Sequence, residues 1–448
     1  MVKMKSDHLR LLMLGLLLTR AQLGYTQTTP GVKVLTLPES IEMGLKNNSF
    51  LRVSDTKTKL AEARLRQVKD DALPKAGTSV QYSRLYTLSP FSMGEDIHLP
   101  ATHFDAMIGM VSASKEIFDG FLDKAKHETN EALIEASKMD AAKDREDIRY
   151  SIISIYYNIY KISKSEAIID ENMRLLSERE REANNMFKEG ILLSNDLLKI
   201  QLQKSNLQLS KVDIKNAMDV SLHNLAVMVG LLDGQAIAID TNFVIDYQVK
   251  SFSAAGLVEQ ALNARYELKS SKFRIGVAEG GLKQLKSAYL PHVDFSFMYL
   301  YLNPVVEHKF FPPKEGFLQA VNLGLSVKYN IASLYNMKGK MQEAKLNIEQ
   351  AKNAVAVQND QVRTEVYAQL KGFQSAREKI GVAETAFAQA QRSFKLSSSQ
   401  FRNGLLLSGD LMQSQNLMLQ SQLNLLQSRI DAQLAFYRLE KATGGAIQ

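Results

Sequence analysis

Side chains that could perform catalysis or hold a metal are few in this chain and far apart in the sequence. There is no Cys, which excludes a thiol nucleophile and a thiolate metal site. Seven His are scattered, and the closest pair, His98 and His103, has no carboxylate cluster at ligand spacing. Phosphate-binding glycine loops and the G-x-S-x-G motif are absent. The sequence therefore predicts no enzymatic activity, no metal and no cofactor.

Two carboxylates, those of Asp196 and Asp410, occupy equivalent places in a duplicated segment. In each copy a Gly ends a long apolar-periodic run, three aliphatic residues follow, and a Ser opens the next run. This order predicts a helix stop, a short turn and a helix N-cap, so each copy is predicted to be the tip of a helical hairpin. The copies, 214 positions apart, read Phe187-Lys-Glu-Gly190-Ile-Leu-Leu-Ser194-Asn-Asp196 and Phe401-Arg-Asn-Gly404-Leu-Leu-Leu-Ser408-Gly-Asp410.

A long helix leads into each tip. The 69 residues from Asp119 to the first tip contain no Pro, and apolar residues recur there at spacings of three and four, which predicts a coiled coil. At ~1.5 Å per residue such a helix is about 100 Å long, too long for a globular domain to enclose. The two seams are Ile148, Ile152, Ile155, Ile159, Ile162, Ile169, Met173, Leu176, Ala183 and Phe187, and Val362, Val366, Phe373, Ala376, Ile380, Ala383, Phe387, Ala390, Phe394 and Phe401.

Shorter helices are predicted over residues 39–71, 194–230 and 257–288. The first two hold 33 and 37 residues, so stacked end to end they would match the long helix as its partner. A Leu-Pro pair ends the first helix of each half, at Pro74 and Pro291. The repeated corner indicates that both halves arose from one unit.

Alternating apolar and polar residues after each Leu-Pro corner predict β-strands. Return strands are predicted over 106–117 and 318–331, and strands of about ten residues match those of outer-membrane barrels. A soluble β-subdomain with one face on a core is the alternative. The outgoing strands carry Val80, Tyr82, Tyr86 and Leu88, interrupted by Arg84, and Phe295, Phe297, Tyr299 and Tyr301; the loops contain Pro90, Gly94 and Pro100, and Pro304, Pro312, Pro313 and Gly316.

The first 26 residues have the layout of a secretory signal peptide, with basic residues ahead of an apolar run from Leu11 to Leu18. That run is too short to span a bilayer. The whole chain holds 55 basic and 48 acidic residues, mixed along the helices, which does not indicate nucleic-acid binding. We divide the chain into this signal peptide, a first repeat over 27–230, a linker over 231–253 with one or two short strands, and a second repeat over 254–448.

On its two tips and its duplicated plan, from about Leu35 to Gly444, the sequence resembles the TolC-like outer-membrane efflux family. The resemblance implies a mixed fold, a membrane β-barrel joined to an all-α coiled-coil barrel in the periplasm. Four strands per chain cannot close a barrel, because open edges leave backbone groups unsatisfied in lipid. The family's homotrimer, with a 12-stranded β-barrel and a 12-helix α-barrel, supplies the missing strands. Sequence physics alone does not choose three copies over four.

The function implied by this resemblance is an outer-membrane exit duct that exports small molecules. Its expected partners are two further copies, a periplasmic adaptor, an inner-membrane transporter and outer-membrane lipid. One alternative is the outer-membrane component of a type I protein-secretion system. Another is an exported trimeric coiled-coil adhesin or scaffold, which would explain the heptads but would not need the duplicated amphipathic strands.

In the family the tips present a Gly and aliphatic residues to the adaptor. The matching residues here are Gly190, Ile191 and Leu192, and Gly404, Leu405 and Leu406. The alternative is that each Gly serves only as a left-handed helix cap, with the aliphatic residues packed inside the tip.

The family's periplasmic gate is altered in this sequence. Its best-known members hold the tip shut with a Tyr and an Arg, where this chain has Phe401 and Leu406, and they carry two acidic rings, where it has Asp410 and Gln413. We therefore expect apolar closure by Phe187, Phe401 and Leu406, with cation selectivity from Asp410. The alternative for Asp410 is stabilisation of its own helix N-terminus, the role expected of Asp196.

Overall fold

The computed structural model describes residues 32–86, 91–93, 97–99, 103–231, 236–242, 252–305 and 318–445. The predicted signal peptide lies outside these ranges. So do the loop residues Pro90, Gly94, Pro100, Pro312, Pro313 and Gly316, and the greater part of the 231–253 linker.

Helices make up most of the described chain. They are α1 Leu37–Asn47, α2 Ser49–Asp71, α3 Leu122–Lys188, α4 Ser194–Met228, α5 Ala254–Ala264, α6 Tyr266–Ser287, α7 Ser333–Asn336, α8 Lys338–Arg402 and α9 Ser408–Ala442. The strands are β1 Lys33–Leu35, β2 Lys75–Tyr86, β3 Phe91–Met93, β4 Ile97–Leu99, β5 His103–Phe118, β6 Ile237–Ile239, β7 His292–Val305 and β8 Leu318–Lys328.

These elements form two compact units. Unit 1 draws on the segments Met1–Asn48, Ser151–Tyr247 and Lys379–Leu434, and unit 2 on Ser49–Tyr150, Gln248–Glu378 and Ala435–Gln448. The long helices α3 and α8 each contribute residues to both units.

The predicted long helices are confirmed, and so are the heptad seams except at Phe187, which is 42% exposed. Helix α3 runs for 67 residues and α8 for 65, each without interruption. Seam residues such as Ile152, Leu176 and Val366 are fully buried. In unit 2, α8 packs with α5, α6 and α9 around one apolar core, formed by Leu257, Ala261, Leu268, Val362, Val366, Leu370, Phe373, Ala435, Leu439 and Ala442.

The single helices predicted over 39–71 and 257–288 are wrong, because each is broken at one residue. Asn48 separates α1 from α2 in an extended conformation, and Arg265 separates α5 from α6 in the same conformation. Each break residue uses its side chain to satisfy a carbonyl at another helix end. The Asn48 amide donates to the Met228 carbonyl (3.0 Å), and the Arg265 guanidinium donates to the Ala442 carbonyl (3.3 Å). Such carbonyls have no partner inside their own helix.

The predicted strands form a four-stranded antiparallel sheet in unit 2, in the order β2-β5-β7-β8. The pairing register places Val80, Val111, Tyr299 and Val321 on one face. Strand β8 ends at Lys328 rather than at the predicted Ile331, since a turn follows in which the Asn330 side chain accepts from the Ala332 N–H.

A charged pair interrupts this apolar face. The Arg84 guanidinium donates two hydrogen bonds to the Asp105 carboxylate, at 2.6 and 2.8 Å. The two residues are direct cross-strand partners in the β2–β5 register. The break in the alternation at Arg84 is therefore matched by a carboxylate on the neighbouring strand.

A second, two-stranded sheet lies in unit 1, where β1 pairs in parallel with β6. Strand β6 confirms the short strand expected in the linker around Ile237. The Tyr156 hydroxyl of α3 lies 3.2 Å from the carbonyl oxygen of Leu35, the last residue of β1, and 3.0 Å from that of Asp240, which follows β6. Burial raises the pKa of Tyr156 to about 12. The protonated hydroxyl shares its single hydrogen between these two carbonyls and fixes the strand pair on α3.

Replacing Tyr156 with Phe should lower the free energy of unfolding by about 1–3 kcal/mol, because it removes a buried donor and leaves its carbonyl partner without it. Thermal melting of the purified protein, followed by circular dichroism, measures the change. Tyr335→Phe is the control, since the Tyr335 side chain is 70% exposed. Equal melting temperatures for the two variants would contradict this role of Tyr156.

Candidate functional site at the hairpin tips

Both tips begin with the same left-handed glycine turn. Gly190 has a φ of +73°, its N–H donates to the Phe187 carbonyl (3.1 Å), and the Ile191 N–H donates to the Met186 carbonyl (2.9 Å). Gly404 repeats this geometry with a φ of +72°. This is the Schellman pattern, which satisfies the last carbonyls of a helix and favours Gly because its φ is positive. The helix-cap reading of both glycines therefore holds, and a docking role would be additional to it.

The Ser residues of the tips do not act as N-caps, which corrects the sequence prediction. Helix α4 begins at Ser194, and its N-cap is the extended residue Leu193, whose side chain cannot cap. Helix α9 likewise begins at Ser408, and its hydroxyl instead donates to the Asp196 carboxylate of the other tip. The hydroxyl therefore links the two tips rather than capping its own helix.

One apolar cluster in unit 1 holds the two tips together. It combines buried residues from α3, α4, α8 and α9 and is covered by partly buried neighbours, among them Leu192 and Leu406. The buried members are Leu176, Ala183, Ile200, Leu207, Phe401, Leu411 and Met412. The two tips thus share a single core.

The three aliphatic residues of each turn divide between core and solvent. The middle ones, Leu192 and Leu406, pack on the shared core, whereas their neighbours are exposed, with Leu405 at 77%. The exposed set is Ile191, Leu193, Leu405 and Leu407. The docking set predicted from the sequence includes Leu192 and Leu406, which pack on the core, and leaves out the exposed Leu193 and Leu407. Alternation along an extended segment was the available signal, since successive side chains there point to opposite sides.

The four residues expected to form the gate are only partly brought together. Phe401 and Leu406 belong to the shared tip core. Phe187 is 42% exposed and is not a member of that cluster, although Phe401 occupies the equivalent place in the other hairpin and is 7% exposed. Asp410 is exposed in the first turn of α9.

The two equivalent aspartates have different surroundings. Asp196 accepts from the Ser408 hydroxyl and lies 3.4 Å from the Lys199 ammonium group. Within the described ranges, the Asp410 carboxylate has no hydrogen-bond or ion-pair partner. Both stand in the first turn of their helices, where a negative charge favours the helix. Their difference lies in the contacts between hairpins.

Polar side chains also connect the hairpins away from the turns. The Gln203 amide of α4 donates to the Asn416 side chain of α9 (2.6 Å), and the Arg179 guanidinium of α3 donates to the Ser398 hydroxyl of α8 (2.8 Å). Burial lowers the pKa of Arg179, and its guanidinium lies over the Phe394 ring. These contacts fix the register between the two hairpins.

The part of the chain that the structure describes offers no group of three or more His, Asp or Glu side chains able to hold a metal ion. Within the same residues, no helix is both long and apolar enough to cross a membrane.

The fold is that of solved outer-membrane channels. The Campylobacter jejuni outer-membrane channel CmeC superposes with a TM-score of 0.77 at 16% identity, covering 91% of this chain and 85% of its own. The Vibrio cholerae outer membrane protein VceC superposes with a TM-score of 0.75 at 15% identity, covering 92% and 97%.

Sequence comparison points to the same class. Residues 257–445 match the family model described as outer membrane efflux protein. The outer membrane efflux protein BepC of Brucella suis biovar 1 is 20% identical over 415 residues, which are 91% of this chain and 85% of BepC. The second half of the chain therefore matches the family that the tips indicated, and the proteins that the chain resembles are outer-membrane proteins.

Two glycines of the same conformation should respond differently to substitution. Gly190→Ala adds a Cβ with no atom within 4 Å, so only its positive φ opposes the change, by about 1–2 kcal/mol. In Gly230→Ala, at the same φ of +73°, the new Cβ would lie 2.6 Å from the Asn47 Cβ and 3.0 Å from the Asn47 carbonyl oxygen. Gly230→Ala should therefore lower the melting temperature much further. An equal loss of melting temperature in the two variants would contradict the open space found around Gly190.

Proposed function

We propose that this protein is the outer-membrane exit duct of a tripartite efflux system, working as a homotrimer with a periplasmic adaptor and an inner-membrane transporter. The observation that carries the proposal is the four-stranded sheet, whose outer strands β2 and β8 each pair on one side only within the described residues. An unpaired edge in lipid costs several kcal/mol for each unsatisfied backbone group. Three copies joined edge to edge would give a closed 12-stranded barrel.

The apolar face of the sheet supports a lipid-facing role. Along β8 the side chains of Val321, Leu323, Leu325 and Val327 are all more than 60% exposed. The alternate positions Asn322, Gly324 and Ser326 are small or polar, as expected for the inner face of a barrel. Helices α3 and α8, each about 100 Å long, have the length needed for a periplasmic duct.

We propose that the tips dock the adaptor through the exposed aliphatic residues. The sequence-based set, Gly190, Ile191, Leu192, Gly404, Leu405 and Leu406, is retained in part. Ile191 and Leu405 are exposed and suited to direct contact, while Leu192 and Leu406 would support them from the core. Leu193 and Leu407, each 73% exposed, extend the surface.

We propose that the tip also forms the periplasmic gate. Phe401 and Leu406 already share one apolar cluster within the chain, and Phe187 would join an equivalent contact between copies. Asp410 would supply the negative charge at the entrance, because its carboxylate is exposed. A ring of carboxylates favours cations. We assign the protein no catalytic role.

If the tips dock the adaptor, Leu405→Glu should abolish efflux, because it places a charge in the apolar contact with the adaptor. The protein should still fold, because Leu405 is not part of the tip core. Accumulation of a fluorescent dye in cells that carry the adaptor and transporter measures efflux. Leu405→Met, which keeps an apolar side chain, is the matched control and should efflux normally. Leu406→Glu should instead disrupt folding of the tip. Normal efflux by Leu405→Glu would remove the support for docking.

The gate predicts that Asp410→Asn lowers cation selectivity several-fold in planar bilayers, read from the reversal potential in a salt gradient. Asp196→Asn is the matched control, because Asp196 is held by Ser408 and Lys199, and its selectivity should stay close to that of the wild type. Unchanged selectivity of Asp410→Asn would exclude this gate assignment. A purified protein that never conducts would contradict the exit duct itself.

A further inference from the structure

The two hairpins of unit 1 are equivalent in sequence but unequally buried. We call the tip half of α3 with α4 the first hairpin, and the tip half of α8 with α9 the second hairpin. On one face, which we call face A, the second hairpin is buried and the first is exposed. Phe401 is 7% exposed against 42% for Phe187, and Met412 is 7% exposed against 59% for Leu198. Ser408 is buried as well, whereas its counterpart Ser194 is exposed.

The opposite pattern holds on the other face, which we call face B. Here the first hairpin is covered and the second is open. Asp196 is engaged by Ser408, whereas its counterpart Asp410 is exposed. Gln203 is partly buried and bonded to Asn416, whereas its counterpart Leu417 is 56% exposed.

Within the chain, face A of the second hairpin therefore packs on face B of the first hairpin. This leaves face A of the first hairpin and face B of the second hairpin uncovered. Because the two hairpins are copies of one unit, the uncovered pair can meet in the same geometry only between different chains. Such a head-to-tail contact repeats from copy to copy and closes into a ring when the rotation allows it.

The residues at the uncovered positions complement each other. When each residue is replaced by its equivalent in the other hairpin, 214 positions away, the contact of Asp196 with Ser408 becomes a contact of Asp410 with Ser194. This contact again joins a carboxylate acceptor to a hydroxyl donor. Within the described residues neither Ser194 nor Asp410 has a side-chain hydrogen-bond partner.

In a second equivalent contact, both residues change from polar to apolar. The bond of Gln203 with Asn416 becomes Leu417 with Leu202, and these leucines are 56% and 63% exposed. A leucine opposite an amide would leave that amide without its hydrogen-bond partner. The matched change of both partners is what a real contact between these positions requires.

We propose that the second hairpin of one copy packs on the first hairpin of the next copy, where the Ser194 hydroxyl donates to the Asp410 carboxylate and Leu202 packs on Leu417. The inference rests on the proposed homotrimer and specifies how its periplasmic end is joined. A carboxylate has two oxygens and accepts several hydrogen bonds, so Asp410 can take this bond and still present charge to ions. The contact also covers Phe187 and Leu198.

Cross-linking between single-cysteine copies tests this pairing, since the natural chain has no Cys. Ser194→Cys and Asp410→Cys copies, carrying different tags, are co-expressed, and the purified trimers are treated with dibromobimane, which bridges only nearby thiols. We expect a covalent dimer that contains both tags. Trimers of either variant alone should give no such dimer.

The double variant Asp196→Cys with Ser408→Cys is the matched control. Its thiols face each other within one chain, so the same reagent should bridge them without raising the mass above one copy. If this control is bridged and the protein is trimeric, but the two tagged copies give no mixed dimer, the pairing is wrong and another partner covers these faces. A chain that is not trimeric would instead refute the proposed function.

Discussion

An apolar or hydrogen-bonding surface must be covered, and in each of its two units this chain leaves such surfaces exposed. In unit 1 the two hairpins share one core, yet each keeps a second face in solvent, including Phe187 and Leu198 on the first. In unit 2 the sheet has two edges that no described strand pairs with, and an exposed apolar face. Leaving such surfaces in water is unfavourable by about 25 cal/mol per Å² of apolar area. We propose that lipid and further copies together cover these surfaces.

Because the two hairpins are duplicates, the need to cover their exposed faces also specifies which hairpins would pair between copies. When the first hairpin packs on the second within one chain, face A of the first and face B of the second stay uncovered. These two faces are complementary. Where the halves are alike in chemistry, as for Asp196 and Asp410, the repeat preserves the pairing. Where they differ, as for Gln203 and Leu417, the opposing residue differs with them. Under the proposed pairing, the tip joins the two hairpins within each chain and also contacts the neighbouring copies.

The sequence predicted the long helices, the strands and the glycine turns because each depends on local periodicity or on one special backbone conformation. Long-range contacts set the features that it missed. Asn48 and Arg265 break their helices through side-chain bonds to distant carbonyls, with no Gly or Pro to mark the break. Ser408 looked like a cap and bonds to Asp196 of the other tip instead. The exposure of Phe187 could not be foreseen either, since its heptad position equals that of the buried Phe401.

The central claim is that the surfaces left open by one chain are closed by two further copies. Native mass spectrometry of the mature protein, released from detergent micelles, tests it most directly. A dominant species of three chain masses is predicted, persisting until the detergent no longer covers the apolar face of the sheet. A stable single-chain species that still conducts ions in bilayers would contradict the claim, because one chain would then have satisfied both the sheet edges and the hairpin faces alone.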